Sequence, residues 1–189
     1  MSPRAGLDLH TIVRQAAEMA DTEGVEAVTL ASLAQKLGVR SPSLYNHVNG
    51  LPALRSHLAV HGLTLLDEAL ERGESGKEGE DAIIGVANAY LSFARQHPGL
   101  YILTLQSPAV ENEEQVRLGE RLVARLLHVL KPFGLTEEEG IHAVRGLRSL
   151  LHGFAALEYQ GGFGMPIDSH ASLMYVLHRL LDGLRGSNR

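Results

Sequence analysis

The chain has no cysteine among its 189 residues. Disulfides and thiolate metal sites are therefore excluded, and a reducing compartment is the natural setting. No apolar run approaches the roughly 18 residues that a membrane-spanning helix needs. The opening "MSPRAG" carries no apolar signal core, so the sequence reads as that of a cytoplasmic protein with no membrane partner. Strand-type alternation is missing, as is any internal repeat. No nucleophile elbow or carboxylate pair stands out, and no catalytic residue is assigned. "GGFG" at 161–164 follows a helical pattern rather than a strand, which removes a phosphate-loop reading. No cofactor is expected.

Positive charge is also in short supply. There are 17 lysines and arginines against 22 acidic residues, a net charge of −5, which argues against a generic nucleic-acid coat. The distribution is uneven. Residues 1–57 hold five basic side chains (Arg4, Arg14, Lys36, Arg40, Arg55) and five acidic ones, leaving 12 basic and 17 acidic for the remainder. A neutral head on an acidic body is compatible with DNA binding by the head alone.

What the chain does have is helical periodicity almost throughout. Leu9, Ile12, Val13, Ala16 and Ala20 form one stripe after Asp8, a good N-cap, and Gly24 stops it. Thr29 caps a second helix with Leu30, Leu33, Ala34 and Leu37 inward, ended by Gly38. Ser41 and Pro42 read as N-cap and first position of a third helix reaching about Val48. A fourth spans about 51–71, and the glycine-rich "GESGKEGE" separates it from a fifth at about 81–96. His97-Pro98-Gly99 breaks that helix before the short apolar segment "LYILTLQ" and the loop "SPAVENE". A helix ending at Pro132-Phe133-Gly134, one opened by a Thr136/Glu139 capping box and running to about Tyr159, and one capped by Asp168 complete the chain. The expected fold is all-α with about nine helices.

The most informative stretch is "LASLAQKLGVRSPSLYNHV", Leu30 to Val48. Two helices joined by a tight glycine turn match a helix-turn-helix. Gly38 supplies the left-handed conformation that a side chain resists. Ala34 must be small where the next helix crosses, and Leu44 returns to the core. Arg40, Ser41, Ser43, Tyr45, Asn46 and His47 are then left to point outwards, a set suited to phosphates and base edges. An ordinary helical hairpin in a bundle has the same pattern.

The wider context separates the two. A helix at 9–23, the pair at 30–48, and "LYNHVNGLPALRSHLAVHG" after them resemble the DNA-binding head of the tetracycline-repressor (TetR) family over residues 8–62. The resemblance is most specific in "SLYNHV", with Tyr45 and His47 closing the recognition helix. Leu51 departs from the lysine the family often has there. "HPGLY" (97–101) and "LLHGFAALE" (150–158) resemble the family's His-Gly (WHG) type of effector domain. The resemblance implies a homodimeric regulator, most often a repressor. Such a regulator binds a near-palindromic double-stranded operator and answers to a small apolar or amphipathic effector. The implied layout is a head over 1–50, the start of a connecting fourth helix over 51–62, and a ligand-binding and dimerisation body over 63–189. The DNA-contacting candidates are Thr29, Lys36, Arg40, Ser41, Ser43, Tyr45, Asn46 and His47. The effector pocket is expected between the fourth, fifth, seventh and eighth helices and "LYILTLQ", with His61, Tyr90, Phe93, Tyr101, Leu105, Leu122 and His152 lining it.

Two further patterns bear on function. His57 and His61 are four apart on one helical face, a metal-pair spacing, but no glutamate follows His57 and no third ligand is evident, so no metal site is assigned. A helical-bundle enzyme or a metal-dependent sensor using that pair is the rival reading. Gly146 and Gly153 lie seven residues apart, on one face with Leu150 and Leu157, while Val144, Leu147, Leu151 and Phe154 form a second apolar face. A helix apolar on both sides is buried on both sides. The glycine face, with Leu177 and Leu181 of the last helix, is the expected dimer interface.

Overall fold

The computed structural model describes residues 7–107 and 112–186. The opening "MSPRAG", which includes Arg4, and four residues of the "SPAVENE" loop lie outside that range. Among the described residues there are nine α-helices, two single 3-10 turns and no strand. The helices are α1 (Leu9–Glu23), α2 (Leu30–Leu37), α3 (Ser41–Leu44), α4 (Gly50–Glu74), α5 (Gly79–Gln96), α6 (Pro98–Thr104), α7 (Glu113–Leu130), α8 (Glu137–Tyr159) and α9 (Ser169–Gly186).

Local chemistry sets most of these boundaries. Asp8 accepts from the Thr11 N–H at 2.7 Å, and Asp168 accepts from that of Ala171 at the same distance. The Thr136/Glu139 capping box is present, with reciprocal bonds of 2.8 and 3.3 Å. Thr29 is matched by Ser32 in a second reciprocal box that opens α2. The end of α8 is a left-handed glycine cap: the Gly162 N–H donates to Leu157 O and that of Gly161 to Glu158 O. Two boundaries differ from the sequence expectation. Arg40, not Ser41, occupies the N-cap of α3, and regular helix ends at Leu44 rather than near Val48. Tyr45–His47 continue as a turn in which the His47 and Val48 N–H groups both bond Leu44 O at 2.9 Å. "LYILTLQ" proves to be mostly helical, as α6.

The described residues fall into two compact units that do not follow chain order. One contains the chain up to Leu65 together with the described part of Gln96–Leu118; the other contains Leu66–Arg95 and the chain from Gly119. In the first, Ile12, Ala16, Leu33, Leu44, Leu54, Leu58, Leu100 and Leu103 form the core, all at most 1% exposed. Here α6 packs on α1, and α1 on α2. In the second, Leu70, Ile83, Val86, Leu147, Leu151 and Leu173 are sealed from solvent. The α4 and α5 backbones meet there at two glycines: a Cβ on Gly85 would lie 2.0 Å from Gly73 O. No side chain fits such a gap, so glycine at 85 lets the two backbones meet.

Candidate nucleic-acid interface

The helix-turn-helix is assembled as its residue types require. Gly38 takes φ +66° with nothing within 4 Å of a Cβ position, so the conformation alone demands glycine. Leu33, Ala34, Leu44 and Val48 are buried at 2% or less and hold α2 and the recognition segment together. Arg40, Tyr45 and Asn46 project into solvent, Tyr45 being 58% exposed, while Ser41, Ser43 and His47 are half-buried beside them. An exposed tyrosine between a cation and an amide in sequence gives stacking surface, charge and a bidentate donor–acceptor pair within seven residues. Two members of the expected set are engaged within the unit. The Thr29 hydroxyl caps α2, and Lys36 forms a 3.5 Å ion pair with Glu18 of α1.

The expected effector residues divide between the units. His61, Tyr101 and Leu105 belong to the first; Tyr90, Phe93, Leu122 and His152 belong to the second. Tyr90, Phe93 and Tyr101 are buried at 7% or less, and the other four are half-buried. Within the second unit there is also a cleft of about 630 Å³, open to solvent, that includes none of them. Glu74, Lys77, Gly79, Ala82, His128 and Lys131 are among its lining residues. His57 and His61 gain no third ligand: among the described residues no group of three or more His, Asp or Glu could hold a metal.

Among the expected interface residues, Gly146 and Gly153 face open space, with nothing within 4 Å of a Cβ position, and Leu157 is 48% exposed. Leu150 is half-buried. Leu177 and Leu181 require correction: at 0% and 1% exposure they point into the protomer's own core and leave no surface for a partner. The outward face of α9 carries Tyr175 and Val176 instead. Tyr159, Met165 and Ile167 are also widely exposed, so apolar surface concentrates on α8, α9 and the loop joining them. That loop is tied down where the Phe163 ring packs at a tilt against Phe154, 5.3 Å between centroids.

Two polar clusters escaped the sequence reading. In the first unit, Asp21 of α1 accepts the Leu100 N–H at 2.9 Å and His97 Nδ1 at 2.8 Å. In the second, Asp67 of α4 is 1% exposed and takes Arg125 Nε of α7 at 2.9 Å, with Arg121 beside it. Arg125 also reaches Glu74, and Glu71 at 3.7 Å. Burial works against the Arg125 charge, but the bonds and charges of Asp67 and Glu74 outweigh it and raise its pKa above the ordinary arginine value. A signal for this cluster was present: Asp67 sits in the stripe Leu63, Leu66, Leu70, where a carboxylate is out of place unless paired.

The family description "Tetracyclin repressor-like, C-terminal domain" matches residues 83–180. The His-Gly subtype is a finer assignment that this match does not make. The chain is 42% identical to the uncharacterized HTH-type transcriptional regulator YobS of Bacillus subtilis (strain 168), over 100% of this chain and 98% of the relative. Its fold is similar to that of a solved protein of unknown function from Rhodococcus sp. RHA1, with a TM-score of 0.83, 22% identity, and coverage of 98% of this chain and 100% of that one. It is also similar to the Streptomyces coelicolor TetR family protein ActR in complex with (S)-DNPA, with a TM-score of 0.65, 19% identity, and coverage of 97% and 99%.

Proposed function

This chain belongs to the tetracycline-repressor family of transcriptional regulators, and on that premise we propose a homodimeric repressor released from a near-palindromic operator by a small apolar or amphipathic effector. Its DNA-binding element is the helix-turn-helix of α2 and α3. The observation that carries the operator reading is the exposed trio Arg40, Tyr45 and Asn46, raised on the buried pair Leu44 and Val48. Ser41, Ser43 and His47 complete the contact surface. Lys36 joins it by exchanging Glu18 for a phosphate, and Thr29 serves mainly to start α2.

Dimerisation is assigned to the apolar surface of the second unit: Gly146, Gly153 and Leu157 of α8 with Tyr175 and Val176 of α9. A pair of heads facing successive major grooves needs a spacing of about 34–36 Å, which a fixed dimer supplies. The effector reading is supported by the solved relative that carries (S)-DNPA. Tyr90, Phe93, Leu122 and His152, with His61, Tyr101 and Leu105, are the residues to substitute first. We assign no enzymatic activity and place the protein in the cytoplasm; no helix of the described residues is long and apolar enough to cross a membrane. Selection of duplexes from a random-sequence library by the purified protein tests the reading. Enrichment of an inverted repeat supports it, and enrichment of nothing overturns it.

A further inference from the structure

The helix α6 lacks a cap of its own. Its N-cap residue, His97, makes no side-chain capping bond, whereas Asp8, Thr29 and Thr136 each cap the helix that follows them. The missing acceptor comes from 79 residues earlier in the chain. The Asp21 carboxylate, 14% exposed at the end of α1, accepts the Leu100 N–H with one oxygen and His97 Nδ1 with the other. A carboxylate there also meets the positive end of the helix dipole.

A second observation is independent of the first. A Cβ on Gly99 would lie 2.1 Å from Ala20 O and 2.8 Å from the Asp21 nitrogen. The α6 backbone therefore lies directly on the last turn of α1, with no side chain between. On its other side, Thr104 Cγ2 and Leu100 O lie 3.0 and 3.3 Å from the Cβ position of Gly62 in α4. Leu100 and Leu103 are buried at 1% and 0%. From α1 the linkage continues to the reading element, since α1 packs on α2.

We propose that Asp21 is a positioning residue: it latches α6 to the end of α1, and the latched state is the one in which the helix-turn-helix binds its operator. The proposal rests on the regulator reading above. Withdrawing α6 breaks both Asp21 contacts and uncaps α6 at once. The contact is therefore made or broken as a unit, which is what a switch element requires. An effector that draws α6 away from α1 shifts the seat of α2 while α2 itself stays folded.

The test uses the full-length protein, a duplex enriched by the wild type from a random library, and amide hydrogen exchange. Asp21→Ala should accelerate exchange over 98–104, leave the amides of α2 protected, and lower duplex affinity about tenfold, the effect of losing one bond to a charged group. Asp21→Asn keeps an oxygen for the Leu100 N–H and should recover most of the affinity. His97→Ala, a milder change that leaves that bond in place, should give a smaller loss of the same kind. Unchanged exchange over 98–104 in Asp21→Ala would remove the latch. Faster exchange there with wild-type affinity would show a latch without regulatory meaning. Loss of protection in α2 as well, without recovery in Asp21→Asn, would reduce Asp21 to a general stabilising residue. Should Asp21→Ala not fold, the same outcomes are read from His97→Ala. A wild-type protein that enriches no duplex overturns the regulator reading itself, while the exchange data still report on the cap.

Discussion

Tyr45 and Asn46 sit side by side on the recognition turn yet offer different chemistry. A phenol at 58% exposure offers a phosphate contact and a stacking face, neither of which depends on sequence. A carboxamide can pair bidentately with one base. Tyr45→Ala is expected to weaken binding to all duplexes and leave their ranking as it was. Asn46→Ala is expected to flatten preference at one position by roughly 1–3 kcal/mol. A mobility-shift series over single-position operator variants checks both. Deeper in the protein, Asp67 relies on Arg125. Arg125→Met removes the principal partner of a carboxylate that is 1% exposed, and about 3–5 kcal/mol of stability should go with it. Urea unfolding should show the lower midpoint. The exposed recognition turn was legible in the sequence because Leu44 and Gly38 fix which side faces out. The Asp67 cluster was half-legible: the stripe gives away the misplaced carboxylate, but not which arginine answers it.

At the scale of helices, the glycines divide by what surrounds them. Gly85 is locked against Gly73 O, so Gly85→Ala should force α4 and α5 apart and cost about 1–3 kcal/mol, seen as a lower melting temperature. Gly153 has room for a side chain in the protomer. The close helix approach expected at Gly146 and Gly153 is not made inside the protomer, where α4 and α5 meet at Gly73 and Gly85 instead. Glu158 joins three helices: it takes Arg95 of α5 at 2.8 and 3.0 Å and the Ser169 hydroxyl of α9 at 3.0 Å. The Arg95 bonds, with help from Ser169, hold its pKa below the ordinary 4.5 against the opposing effect of burial. A depressed carboxylate contributes stability that is complete above its unfolded pKa and is lost as pH falls through the folded value. The stability gap between wild type and Glu158→Gln should therefore be constant at neutral pH and close below about pH 4.5. Chemical denaturation at a series of pH values measures it.

For the whole molecule, Gly153→Leu is expected to leave the protomer's circular dichroism intact while sedimentation shows more monomer. Operator affinity should fall with it, because two linked heads on one palindrome bind far more tightly than one. A variant that stays dimeric would move the interface away from this face of α8. Once an effector is found, linkage makes a further demand. The factor by which it weakens operator binding must equal the factor by which operator weakens its own binding, commonly about 5–150. Calorimetry on free and operator-bound protein measures both legs.

The all-α fold, the order of the helices, most of their ends and the helix-turn-helix followed from the sequence alone. Each is set by interactions within a few residues: side-chain periodicity, an Asp, Thr or Ser cap, a glycine at positive φ. The family resemblance rested on the same local stretch. Tertiary structure decided whatever depends on residues far apart in the chain. It turned Leu177 and Leu181 inward, because α9 needs its leucine stripe for its own core. It grouped α6 with the helix-turn-helix and apart from α5 up to Arg95. A helix that borrows its cap from Asp21, 79 residues back, leaves no local sign of where it will dock.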